Sequence, residues 1–85
     1  MKKTIKGLKV DIDQAKASDW HSFSLLRKAN GESQFEQLAV LLELIEYITD
    51  VDEAKIVEHL GGDTAQASDV IALVSEIIQA ATPKN

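Results

Sequence analysis

Gln34 to Thr49, QFEQLAVLLELIEYIT, constrains the fold of this chain more than any other stretch. Ten of its sixteen residues are apolar, none is Gly or Pro, and their spacing fits a helical period far better than alternation. Ser33 with Glu36 forms the S-x-x-E capping box that satisfies free amide donors at a helix start. With Leu41 and Ile45 at the centre, Leu38, Leu42, Leu44 and Ile48 flank them. This arc covers about half the helix circumference, wider than the ~100° stripe of an ordinary surface helix. Such a helix needs neighbours on several sides.

The other segments are predicted to supply them. Ser18 and Asp19 open a helix over 18–29 with Trp20, Phe23 and Leu26 at spacing three, widened by Leu25 and Ala29, and Asn30-Gly31 ends it. Core packing is the expected role of Trp20 and Phe23, with ligand stacking the alternative. The central helix spans 33–49. Asp50 and Glu53 sit at capping-box spacing before a short helix over 51–60, with Ile56, Val57 and Leu60 as its apolar edge and Gly61-Gly62 as its stop. His59 in its last turn suits the helix dipole. Residues 63–67 read as a linker, and Ser68 caps a final helix over 68–81. There Val70, Leu73, Val74, Ile77 and Ile78 share one face. At the N-terminus, residues 3–13 alternate, with Leu8, Val10 and Ile12 on one side, as a strand or as a hairpin turning at Gly7. Lys6-Gly7 is a weaker turn signal than Asn-Gly, because Lys tolerates positive φ poorly. The expected fold is mainly α: a small four-helix domain with a short N-terminal strand or hairpin.

Eighty-five residues fit one domain, with a basic arm at 1–16, a helical body at 18–81 and a polar tail at 82–85. The arm carries five lysines against Asp11 and Asp13, a net +3. The remainder carries four basic residues against twelve acids, a net −8, which gives the total of −5. An acidic body repels phosphate backbones, so no nucleic-acid partner is expected. Glu36, Glu43 and Glu46 interrupt the apolar run, so no membrane span is expected either. No apolar segment follows Lys2-Lys3, and export is not expected.

No pattern demands a chemistry. There is no Cys, His21 and His59 fall on different predicted helices, and Asp50, Asp52 and Glu53 lack the rest of a calcium loop, so no metal or cofactor is expected. Gly61-Gly62-Asp63-Thr64 has no phosphate-binding Lys after it, and no serine sits in a nucleophile context. The chain reads as a non-enzyme. The candidate partner site lies on the acidic side of the central helix, where Val40 and Tyr47 project with Glu36 and Glu43. If that side faces water, Val40 and Tyr47 form an apolar docking pair rimmed by carboxylates. The alternative is that the hairpin or the helix at 18–29 covers them.

Size, acidity and four helices are similar to acyl carrier proteins. Gly31-Glu32-Ser33-Gln34-Phe35, however, lacks the Asp and Leu around the serine that carries their prosthetic arm. The order of features over nearly the whole chain resembles the small tail assembly chaperones of long-tailed bacteriophages and prophages. The likeness lies in Thr4 to Asp13, Asp19-Trp20, the Leu-rich Leu38 to Ile48, Lys55-Ile56-Val57-Glu58-His59-Leu60, and Ser68-Asp69-Val70-Ile71 to Glu76-Ile77-Ile78. The resemblance implies a non-enzymatic protein of the host cytoplasm that binds the tape measure protein, and in some cases the major tail protein, during tail morphogenesis. It further implies absence from the finished particle and, in some members, a form extended by translational frameshifting. Two other readings stay open from the residues. One is a self-associating scaffold using the hairpin edge or the Val40–Tyr47 side, and the other is a small acidic regulator of a basic protein.

Overall fold

The structure, a computed structural model, describes residues 1–31 and 33–82, so Pro83 to Asn85 of the expected tail lie outside the described residues. Strands β1 (Lys2–Ile5) and β2 (Leu8–Asp11) pair antiparallel, with Lys3 opposite Val10 and Ile5 opposite Leu8. The hairpin alternative is therefore the correct one. Lys6 (φ 49°) and Gly7 (φ 83°) both take the positive φ that a tight two-residue turn requires, Lys6 at a steric cost. Two strands alone are marginal in water. Here the chain leaving β2 pairs with the end of the central helix: Ile12 bridges Thr49, and the Asp13 amide donates to the Ile48 carbonyl at 2.7 Å. Ile5, Val10 and Ile12 are buried beneath the hairpin.

A one-turn helix that the sequence reading missed, α1 (Gln14–Ala17), follows; Asp13 caps it by accepting from the Lys16 amide at 3.1 Å. It displaces the expected cap at Ser18, which ends α1 instead. Asp19 caps α2 (Trp20–Asn30) by accepting from the Ser22 amide at 2.9 Å. The turn at Gly31 (φ −94°) leads to α3 (Gln34–Ile48), whose cap Ser33 accepts from the Glu36 amide at 3.5 Å.

Helix α3 lies against both α2 and α5 (Ala67–Ala81), and its buried arc runs through Val40, Leu42, Leu44, Ile45 and Ile48, with Leu38 and Leu41 half-buried. That width is the reason for its Leu-rich composition. Helix α4 (Glu53–His59) starts at Asp52 rather than Asp50, because the Asp50 carboxylate is engaged elsewhere, accepting from the Asp11 amide at 2.9 Å. Its stop is Gly61 in the left-handed region (φ 112°), followed by a 3₁₀ turn over Gly62–Thr64 inside the expected linker. Helix α5 begins one residue before Ser68 and has no side-chain cap bond at Gln66, which corrects the expected Ser68 cap. Its apolar face is as read: Leu73, Val74 and Ile77 are buried, and Val70 and Ile78 are half-buried.

Candidate functional site

The acidic side of α3 divides into two parts. Glu36 and Glu43 are exposed, whereas Val40 is 7% exposed and belongs to the core, and Tyr47 is half-buried. The prospect of an exposed Val40–Tyr47 docking pair is corrected, and the covering alternative holds. Helix α2 packs along this flank because Ser22, Leu25 and Ala29 form a buried stripe at helical spacing that needs an apolar counterpart.

Tyr47 joins three elements. Its hydroxyl donates to Oδ2 of Asp19, the same carboxylate whose Oδ1 caps α2. The His21 ring meets the Tyr47 ring edge-on at 4.6 Å, and the Lys16 ammonium lies 5.2 Å from the ring centre. The buried Ser22 hydroxyl donates to the Lys16 carbonyl at 2.6 Å, tying α1 to α2. The Tyr47 hydrogen bond, and then the Ser22 amide, hold the Asp19 carboxyl below its ordinary pKa. The same Asp19 bond pushes the Tyr47 phenol above its own. A raised phenol is stabilised as a neutral donor, and the cluster fastens α1, α2 and α3 to one another.

The other polar residues weighed from sequence also take structural positions. The His59 ring nitrogen Nε2 lies 2.9 Å from the Lys6 carbonyl, so this imidazole holds the hairpin turn as well as ending α4. Asp52 caps α4, and Asp50 pairs with β2. Among the described residues, no group of three or more His, Cys, Asp or Glu is placed to hold a metal ion.

The exposed apolar surface lies instead on α2. Trp20 is 69% and Phe23 55% exposed, against the expectation that they pack in the core. Their rings stack at 5.4 Å, and the Arg27 guanidinium sits over Trp20 at 5.8 Å. Spacings of three and four put Trp20, Phe23 and Arg27 on one strip of α2, on the opposite flank from His21 and Tyr47. Leu26, half-buried beside this strip, shares a small crevice with Ile78 of α5. Phe35 at the start of α3 is 88% exposed. A signal for the true face was present in the sequence. Ser22, Leu25, Leu26 and Ala29 also follow the i, i+3, i+4, i+7 rule, and a serine at its centre disguised it. The structure therefore relocates the candidate docking surface from Val40 and Tyr47 to Trp20 and Phe23, with Glu36 and Glu43 left as isolated surface carboxylates.

Compared with known proteins, the chain matches no protein-family model, no curated protein and no solved structure. Among the described residues, no helix is long and apolar enough to cross a membrane.

Proposed function

We propose that this chain is a non-enzymatic protein-binding domain, a tail assembly chaperone that holds an apolar helical segment of the tape measure protein in the host cytoplasm. The observation that carries the binding role is the stacked, exposed Trp20–Phe23 pair. Two large aromatic rings held in water, stiffened by each other and by Arg27, are the type of anchor that supplies most of the energy of a protein interface. An amphipathic helix lying along α2 would bury them in a helix-on-helix mode. The partner's identity rests on the resemblance of the chain to tail assembly chaperones, which extends to the major tail protein as a second partner. The acidic body keeps such a complex in solution and away from nucleic acid.

Co-expression with the candidate tape measure protein tests the reading. The expected result is a soluble complex retained by the native chain and lost with Trp20→Ala/Phe23→Ala, whose helical circular dichroism stays native. An unchanged complex with that double variant refutes the docking face, and a tape measure protein left insoluble and uncaptured refutes the partner. The exposed carboxylates of Glu36 and Glu43 favour a second reading, an acidic regulator of a basic protein. Binding that collapses with added salt and ignores the aromatic variants would select it.

A further inference from the structure

Strand β1 has one paired edge and one open edge. The Ile12 amide donates to the Met1 carbonyl at 2.7 Å, and Lys3 and Ile5 stand opposite Val10 and Leu8. Antiparallel strands alternate the direction of their backbone groups, so Met1, Lys3 and Ile5 face β2, and the N–H and C=O of Lys2 and Thr4 face outward. The two edges of the hairpin differ. On β2, Asp11 is closed off by Asp50, whose carboxylate takes the Asp11 amide and whose amide donates to the Asp11 carbonyl at 3.3 Å. On β1, Lys2, Lys3 and Thr4 are exposed, and among the described residues no strand pairs with this edge. A groove of about 770 Å³ runs along it, with Lys3, Thr4 and Lys6 on the near side and Glu76, Gln79 and Ala80 of α5 on the far side. That volume is in the range of functional binding sites.

We infer that the outer edge of β1 accepts an extended, acidic segment of a partner protein as a third strand. The occupant's chemistry follows from charge and alternation. Lys2, Lys3, Lys6 and Lys9 are all exposed, and they concentrate positive charge on the hairpin of an otherwise acidic chain. Edge lysines guard against pairing with a second copy, because two such hairpins would bring eight lysines together. The same lysines are complementary to carboxylates. An added strand places alternate residues on the two faces. Those on the outer face adjoin Lys2 and Thr4 of β1, with Lys9 one strand beyond, so they are acidic. Those on the inner face enter the groove between Lys3 and Ile5 of β1 and Glu76 and Ala80 of α5, where a carboxylate would meet Glu76, so they are small and uncharged. Main-chain bonds to Thr4 supply affinity in the manner of β-strand addition. This surface is separate from Trp20 and Phe23, and the inference does not depend on the proposed function.

Amide exchange of the full chain, followed by NMR, tests it with a blocked peptide of alternating Glu and Val as probe. In the free protein the Thr4 amide exchanges fast while those of Lys3 and Ile5 are protected. Peptide at about ten times its Kd slows Thr4 by about tenfold, and a peptide with Lys in place of Glu does not. A Thr4 amide unaffected by the acidic peptide, or equally slowed by the basic one, overturns the inference. So does a Thr4 amide already protected in a peptide-free protein that sediments as a dimer, since the edge is then taken by a second copy. In Thr4→Pro, which deletes one outward N–H, the acidic peptide no longer slows exchange at the other outward amide, that of Lys2, as it does in the native chain, while chemical-shift dispersion at Val10 and Ile12 reports that the hairpin is intact.

Discussion

The hydroxyl of Tyr47, near the end of α3, donates to the carboxylate of Asp19 that caps the start of α2. One side chain thus satisfies a helix terminus and fastens that terminus to the next helix. The bond accompanies an α2 turned with its small-residue stripe inward. With Asp19 turned toward Tyr47, Ser22, Leu25 and Ala29 meet α3, and Trp20 and Phe23 are left in water.

Tyr47 is the single tyrosine of the chain, so its ionisation is readable directly from phenolate absorbance. Its hydrogen bond to Asp19 raises the phenol above the ordinary value of about 10. The titration midpoint is expected above that value in the native chain and closer to it in Asp19→Asn, where the acceptor has lost its charge. A native midpoint at the ordinary value would show that the bond does not form in solution.

Stability should depend on pH through the same pair. Asp19 is held low by Tyr47 first and then by the Ser22 amide, so its contribution is present above its unfolded value and is lost as pH falls through the folded one. Tyr47 is raised, so its contribution is complete below its unfolded value and is lost as pH rises through the folded one. Tyr47→Phe is therefore expected to lower the urea midpoint most between about pH 5 and about pH 9, with the gap narrowing on either side. A gap that stays constant into both acid and alkali would uncouple the bond from folding.

The parts of the fold legible in the sequence were those where one signal dominated. The apolar period of α5 and the alternation through Leu8, Val10 and Ile12 put the residues they mark on the inner side, whereas in α3 the buried arc takes in Val40, expected on the acidic side, and leaves Leu41 half-buried. Caps were less legible, because neighbouring polar residues compete for one terminus. Asp19 prevailed over Ser18, and Asp52 over Asp50, and in both cases the displaced residue had another partner: the Ser18 hydroxyl donates to the Gln14 carbonyl, and Asp50 holds Asp11. Helix α1 is one turn long and carries no apolar period to detect. The inner face of α2 is obscured in the sequence for a reason of size. Trp20 and Phe23 outweigh Ser22 and Ala29 on any hydrophobic count, yet only small residues let α2 approach α3 closely.

Gly61 offers a test of the chain reversal between α4 and α5. Its φ of 112° is strained for any L side chain, and a Cβ there would come within 2.8 Å of the Thr64 hydroxyl oxygen. That hydroxyl donates back to the Gly61 carbonyl, also at 2.8 Å, so it is not free to move aside without losing its bond. Gly61→Ala is expected to cost about 1–2 kcal/mol in urea unfolding. Gly31, at φ −94° with its nearest neighbour 3.7 Å from an added Cβ, is the control. Gly31→Ala should be neutral or stabilising by up to about 1 kcal/mol. Equal losses at both sites would mean that backbone conformation is not what Gly61 supplies.

The division between the core and the proposed docking face predicts opposite behaviour for large apolar side chains that look equivalent in the sequence. Ile45 is fully buried at the centre of α3, and Ile45→Ala should cost about 2–5 kcal/mol, a large share of the stability of a domain this small. Trp20→Ala removes a larger side chain, but one already in water. Its loss is limited to the stacking with Phe23 and the contact with Arg27, about 1 kcal/mol in all. Because Trp20 is the single tryptophan, fluorescence reports the same site independently. Emission from the free chain is expected to be that of a solvated indole, readily quenched by acrylamide, and to shift to the blue with loss of quenching when a partner covers α2. Strong destabilisation by Trp20→Ala together with a shielded indole in the free chain would place Trp20 in the core and remove the docking face. Weak destabilisation with a quenchable indole leaves the pair free for a partner, and stability and binding then become separable by mutation on one helix.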